Sequence, residues 1–151
     1  MNNLFLSRSD RETRKVAKEI ASAIKPQKEG AFVIYLSGDL GSGKTTFVKG
    51  FLSTFGIKNR IVSPTFNIFK RYSIKKIKFK NIYHFDCYRI KNGKELDILG
   101  FKEIINNPLN IVLIEWPENI GRRARPSLRI SFKYLPEKDS RSIRFSRARL
   151  S

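Results

Sequence analysis

Ala31-Phe32-Val33-Ile34-Tyr35-Leu36 is an unbroken apolar run of strand length. It leads almost directly into Gly38-Asp39-Leu40-Gly41-Ser42-Gly43-Lys44-Thr45. A run without polar alternation suits a strand buried on both faces. Beyond the glycines, Phe47, Val48, Phe51, Leu52 and Phe55 recur at helical spacing, and Gly56 can close that helix. Strand, glycine loop and helix in this order predict a loop whose backbone amides wrap a phosphate. Gly38, Gly41 and Gly43 let the amides turn inward without Cβ clashes. Lys44 can reach the β and γ oxygens of a nucleotide, and the Thr45 hydroxyl can ligate magnesium. The helix starting there aims its positive dipole end at the anion.

The remaining pattern builds outward from that unit. Ser9 to Glu12 reads as a capping box opening a helix that carries Val16, Ala17, Ile20, Ala21 and Ile24 and stops before Pro26. Phe66 to Ile74 and Phe79 to Ile90, rich in β-branched and aromatic residues, predict an antiparallel hairpin turning near Lys75 and Lys76. Leu96, Leu99, Phe101, Ile104 and Ile105 suggest one short helix. Ile111 to Ile114 is a second fully apolar strand, ending on Glu115 and stopped by Pro117. Leu128, Ile130, Phe132 and Tyr134 alternate with polar residues, as do Ile143 and Phe145, which predicts a last hairpin turning near Pro136 to Asp139. The sum is one α/β domain of P-loop type over residues 1–151. Its mixed central sheet has a parallel core and antiparallel hairpins, with flanking helices.

Two carboxylates are candidates for the chemistry. Glu115 ends a buried apolar strand, where an acidic residue can stand beside magnesium; a surface carboxylate is the alternative. Asp86 lies in His84-Phe85-Asp86-Cys87-Tyr88-Arg89, where alternation puts His84, Asp86 and Tyr88 on a polar face. It can orient an attacking water or hold a water beside the metal, or simply pair with Arg89 or a lysine. His84 is expected to be a hydrogen-bonded structural residue, and Cys87 a core thiol. Ser63-Pro64-Thr65-Phe66 reads either as a turn that senses the γ-phosphate, through Ser63 and Thr65, or as an ordinary proline turn. Trp116 can stack or pack.

Charge points to partners without naming them. Thirty-one Lys and Arg face 13 Asp and Glu, a formal +18. Such an excess attracts polyanions, RNA included, and also arises from a compositional bias towards lysine. No apolar run approaches the roughly 20 residues of a membrane helix. The start lacks the pattern of a signal peptide, and a single cysteine cannot form an internal disulfide. A cytoplasmic protein is expected.

Taken together, the phosphate loop continuing through Thr46 and Phe47, Ser63-Pro64-Thr65-Phe66, His84 to Arg89 and Ile114-Glu115-Trp116-Pro117-Glu118 resemble, in this order, the TsaE (YjeE) family of bacterial ATPases. The resemblance runs from Glu12-Thr13 to the last hairpin. It implies ATP and Mg2+ as ligands, with ATP contacts at Gly41, Ser42, Gly43, Lys44, Thr45 and Thr46, and Thr13 near the nucleotide. It also implies magnesium at Thr45 and Glu115, and hydrolysis dependent on Lys44 and Asp86. The implied partners are TsaD and TsaB, which with this ATPase make threonylcarbamoyl-adenosine in tRNA; direct contact with tRNA is left open. Ser42 and Cys87 depart from the family's common Ala and Leu, and the basic stretch Arg141 to Arg149 departs further. A small P-loop kinase and a basic, nucleotide-stabilised RNA-binding module are the alternatives. The first is disfavoured by a hairpin standing where a kinase carries a helical insert.

Overall fold

The computed structural model describes residues 2–58 and 68–147. All seven strands join one sheet, in the order β1-β7-β6-β2-β5-β4-β3. They are β1 (Asn2–Ser7), β2 (Phe32–Ser37), β3 (Phe69–Ser73), β4 (Asn81–Asp86), β5 (Asn110–Glu115), β6 (Leu128–Tyr134) and β7 (Arg141–Arg147). β6, β2, β5 and β4 run parallel, while β3, β7 and β1 join antiparallel at the two sides. The mixed sheet with a parallel centre and hairpin additions is the arrangement the sequence predicts.

Helices α1 (Asp10–Ala23) and α2 (Lys44–Thr54) cover one face of the sheet. Phe47, Val48, Phe51 and Leu52 of α2 are fully buried there against Ile34, Leu36, Ile111 and Ile130. Burying each such side chain contributes about 1.5–3 kcal/mol, so the helix after the glycine loop is anchored by packing more than by propensity. The short helices α3 (Lys94–Ile98) and α4 (Phe101–Asn106) and the 3-10 turn Pro117–Asn119 cover the other face around Phe85, Leu96, Phe101 and Ile114. Among the described residues no helix is long and apolar enough to cross a membrane.

Four local readings differ from the sequence expectation. β1 was not expected: Leu4 and Leu6 remain more than half exposed, and the strand exists because β7 offers it a ladder. The single helix expected over Leu96 to Ile105 is two, divided at Gly100, whose backbone is left-handed. The capping box is shifted: Glu12 N–H does donate to Ser9 Oγ, but the Glu12 carboxylate accepts from Arg8 N–H, one residue earlier than expected. The strand expected to reach Ile90 ends at Asp86, and its expected polar face is only partly solvated: His84 is buried, whereas Asp86 is half-buried and Tyr88 exposed.

Candidate functional site

The parallel strands bring their C-terminal ends to one edge of the sheet. β2 stops at Ser37, and the glycine loop follows at once. Register sets Leu36 beside Glu115, and Glu115 beside Asp86. On the opposite side of β2, Ser37 pairs with Ser131 of β6, whose end, Tyr134, faces the first residue of β7, Arg141. A cleft of about 910 Å³ opens at this edge, lined among others by Lys44, Thr45, Asp86, Glu115, Tyr134 and Arg141. Ligand crevices of open α/β sheets form at such strand ends, and this volume lies in the range of small-molecule sites.

Neighbouring backbone and side chains mould the loop tightly. A Cβ on Gly38 would lie 2.7 Å from both the Phe132 carbonyl oxygen and Ser42 Oγ. Gly43, at φ 110°, is the residue from which α2 starts, and a Cβ there would lie 2.5 Å from Arg141 Nη1. Only glycine combines that backbone angle with that close approach. The Tyr134 hydroxyl donates to the Gly41 carbonyl, tying the loop to β6. Ser42 Oγ is buried without a hydrogen-bond partner among the described residues. Lys44 is also buried, its ammonium donating to the Gly38 carbonyl at 2.5 Å and lying 3.8 Å from the centre of the Trp116 ring. Burial pushes its pKa below the ordinary lysine value, against the opposing pull of Glu115 and Asp86. A desolvated ammonium lining the cleft at the start of α2 is suited to hold an anion.

The acidic side of the cleft is built on β4 and β5. Glu115 is buried, with Oε2 2.7 Å from His84 Nε2, so the imidazole N–H donates to the carboxylate. The other imidazole nitrogen, Nδ1, is buried and has no partner among the described residues. Asp86 Oδ1 accepts from the Tyr88 backbone N–H at 3.1 Å, which turns the chain sharply after β4. Trp116 follows Glu115 with a left-handed backbone, φ 58°, a conformation costing a non-glycine residue about 1–2 kcal/mol. Contacts with the Lys44 ammonium and with the Tyr88 ring, 5.0 Å away, hold it there. No group of three or more His, Cys, Asp or Glu that could hold a metal occurs among the described residues. A divalent ion at Thr45 and Glu115 would therefore take its remaining oxygens from phosphate and water.

Known proteins resemble this chain over most of its length. The family model described as "Threonylcarbamoyl adenosine biosynthesis protein TsaE" matches residues 7–143. The chain belongs to the TsaE family. It is 43% identical over 121 residues to the tRNA threonylcarbamoyladenosine biosynthesis protein TsaE of Rickettsia prowazekii, covering 80% of this chain and 78% of that one. To the protein of the same name from Bacillus subtilis it is 37% identical over 136 residues, covering 89% of this chain and 79% of its relative. The crystal structure of Bacillus subtilis YdiB superposes with a TM-score of 0.68 at 31% identity, covering 97% of this chain and 86% of the other.

Within this TsaE-family chain, Gly41, Gly43, Lys44, Thr45, Thr46, Asp86 and Glu115 line one cleft, and Ser42 is buried within the loop. Thr13 does not line it: the residue is fully buried, and its hydroxyl shares a 2.8 Å hydrogen bond with Ser7. Ser63 and Thr65 lie outside the described residues. Sequence reasoning missed Asp10, Tyr134 and Arg141, all of which line the cleft. Alternation groups Tyr134 with Leu128, Ile130 and Phe132, yet it is about half exposed and turned to the loop. Neither it nor Arg141 carries a sequence signal, because neither is near the loop along the chain. Cys87 is the buried core thiol expected, its pKa pushed up to about 12 chiefly by burial.

Proposed function

We propose that this chain is a magnesium-dependent ATPase acting in the threonylcarbamoyladenosine modification of tRNA, coupled to TsaD and TsaB. The observation that carries the proposal is the single cleft holding the loop, the buried Lys44 ammonium and the two strand-end carboxylates. The positive φ angles of Gly38, Gly41 and Gly43, which other residues rarely adopt, and the buried Lys44 ammonium suit a loop that bends around phosphate oxygens. Relatives named for threonylcarbamoyladenosine biosynthesis supply the process.

In this reading the loop amides of Gly41 to Thr46 and the start of α2 bind the β-phosphate. Lys44 leaves the Gly38 carbonyl and the Trp116 ring for the β and γ oxygens. The Thr45 hydroxyl and Glu115 hold magnesium, with His84 fixing the Glu115 rotamer through its N–H. Magnesium, when bound, neutralises charge on the transferred phosphoryl group. Asp86 stands beside Glu115 and orients the attacking water by accepting its hydrogen bond. Turnover is slow without the partner proteins, because an uncoupled ATPase would consume ATP to no effect.

The test is ATP hydrolysis by the purified protein, alone and with TsaB and TsaD, beside Lys44→Ala and Asp86→Ala. Partner stimulation that both substitutions abolish is the expected result. A folded protein that binds ATP and its partners yet hydrolyses nothing in either setting would overturn the ATPase and favour a nucleotide-stabilised RNA-binding module. The exposed Lys70, Arg71, Lys75, Lys76 and Lys78 along and beyond β3 give that second reading its surface.

A further inference from the structure

The cleft contains a second buried cation that the loop chemistry does not use. Lys44 and Arg141 are the two buried Lys or Arg side chains among the described residues, and both line the cleft. The Arg141 guanidinium lies against Gly43, where a side-chain carbon would come within 2.5 Å of Nη1 and 3.0 Å of Cδ. Its compensation is incomplete. Nη2 donates to Asp10 Oδ1 at 3.2 Å, a single contact to a carboxylate that is itself 60% exposed. Nε is buried and has no hydrogen-bond partner among the described residues. A guanidinium offers five N–H donors in a rigid fork, and burying one with so few acceptors is costly unless an anion completes the set.

Its place in the sheet says which part of the ligand that anion is. From β2, Glu115 and Asp86 lie on the side of β5 and β4, whereas Arg141 lies on the side of β6 and β7. A nucleotide held by the loop between them, with its cleaved bond at the carboxylates, presents its opposite end to Arg141. We infer that Arg141 is a nucleotide-binding residue that contacts the α- and β-phosphate end of a nucleoside di- or triphosphate, exchanging Asp10 for phosphate oxygens. This rests on the P-loop reading above. Arg141 therefore serves ADP and ATP alike, and sets affinity where Asp86 sets rate.

The experiment is titration calorimetry of the full chain with ADP and with ATP in magnesium buffer, alongside steady-state hydrolysis. Arg141→Gln is expected to weaken ADP and ATP by the same factor, about tenfold or more, as the loss of charge-assisted hydrogen bonds implies. KM for ATP rises in parallel, while kcat falls by no more than about twofold. Asp10→Asn, at an exposed position, is expected to tighten ADP binding several-fold by freeing the guanidinium. It keeps the inference testable if Arg141→Gln does not fold, as judged by thermal melting without nucleotide. Unchanged ADP affinity in Arg141→Gln, or a fall in kcat with affinity intact, would overturn the assignment, as would unchanged or weaker binding by Asp10→Asn. A wild-type protein that binds no nucleotide would instead overturn the P-loop reading, and Arg141 with it.

Discussion

The two sides of the phosphate loop are built on different principles. Towards β5 and β4 the loop faces carboxylates from parallel strands: Glu115 braced by a buried imidazole and Asp86 capping the turn at Tyr88. Towards β6 and β7 it faces an antiparallel hairpin that supplies a hydroxyl to the Gly41 carbonyl and a guanidinium against Gly43. One side gathers negative charge beside the place where hydrolysis is proposed; the other sets a guanidinium, paired with Asp10, against the loop and holds its shape. A loop so flanked can separate binding from turnover, since each side can be altered without touching the other. Lys44 belongs to the loop itself, where burial lowers its pKa while the carboxylates of the first side oppose that shift.

That division can be broken most sharply at Asp86. Asp86→Asn is expected to reduce kcat by about a hundred- to ten-thousand-fold, the usual scale for a proton-handling or water-orienting group, with ADP affinity nearly unchanged. Rapid-quench hydrolysis and calorimetry on the same preparation check both halves, and a parallel loss of ADP binding would refute the division. Next in size is the buried brace. His84→Ala leaves the Glu115 carboxylate buried without its donor and is expected to cost about 2–4 kcal/mol of stability, read by urea denaturation. A cost near zero would mean that solvent reaches Glu115 and that the pair is not buried in solution.

On the other side, Tyr134→Phe removes the hydroxyl that grips the Gly41 carbonyl while leaving the ring. A loss of about 1 kcal/mol is expected, with weakened ADP and ATP binding but an unaltered ratio between them. A change confined to kcat would place the tyrosine with the catalytic side instead. The last effect is a pH dependence away from both, silent at neutral pH. Cys87 titrates at about 12 in the folded chain against 9.0 for an unperturbed thiol, so the native state holds its proton more tightly. Its contribution is fully present below pH 9 and is lost as pH rises towards 12. Stability should therefore fall over that window, with a shallower slope in Cys87→Ala, as followed by thermal melts at stepped pH. The native thiol should also resist alkylation at pH 8 and react on unfolding.

The central unit was legible because its causes are local. Ala31 to Leu36 has no polar position to turn outward, the glycines permit the loop, and Phe47, Val48, Phe51 and Leu52 form one helical face. Ile111 to Ile114 is another such run, and a strand buried on both faces must enter the parallel centre, so Glu115 reaches the same edge. Family resemblance then added Asp86 to a motif that spacing alone left ambiguous.

What tertiary structure decided is whatever depends on one segment's choice of neighbour. β1 has too little apolar content to declare itself and is a strand because β7 lies beside it. Alternation puts His84 on a polar face with Asp86 and Tyr88; pairing of β4 with β5 buries the imidazole and joins it to Glu115. Thr13, matched by resemblance to a place near the nucleotide, is fully buried, and its hydroxyl meets Ser7 only through the packing of α1 on β1. Arg141 and Asp10 are 131 residues apart in sequence and meet only because the strand order folds β7 back beside the first residues of the chain. Periodicity and motif spacing encode interactions within about a helical turn or along a strand. Sheet order is a sum over many weak long-range contacts, and no window of sequence contains it.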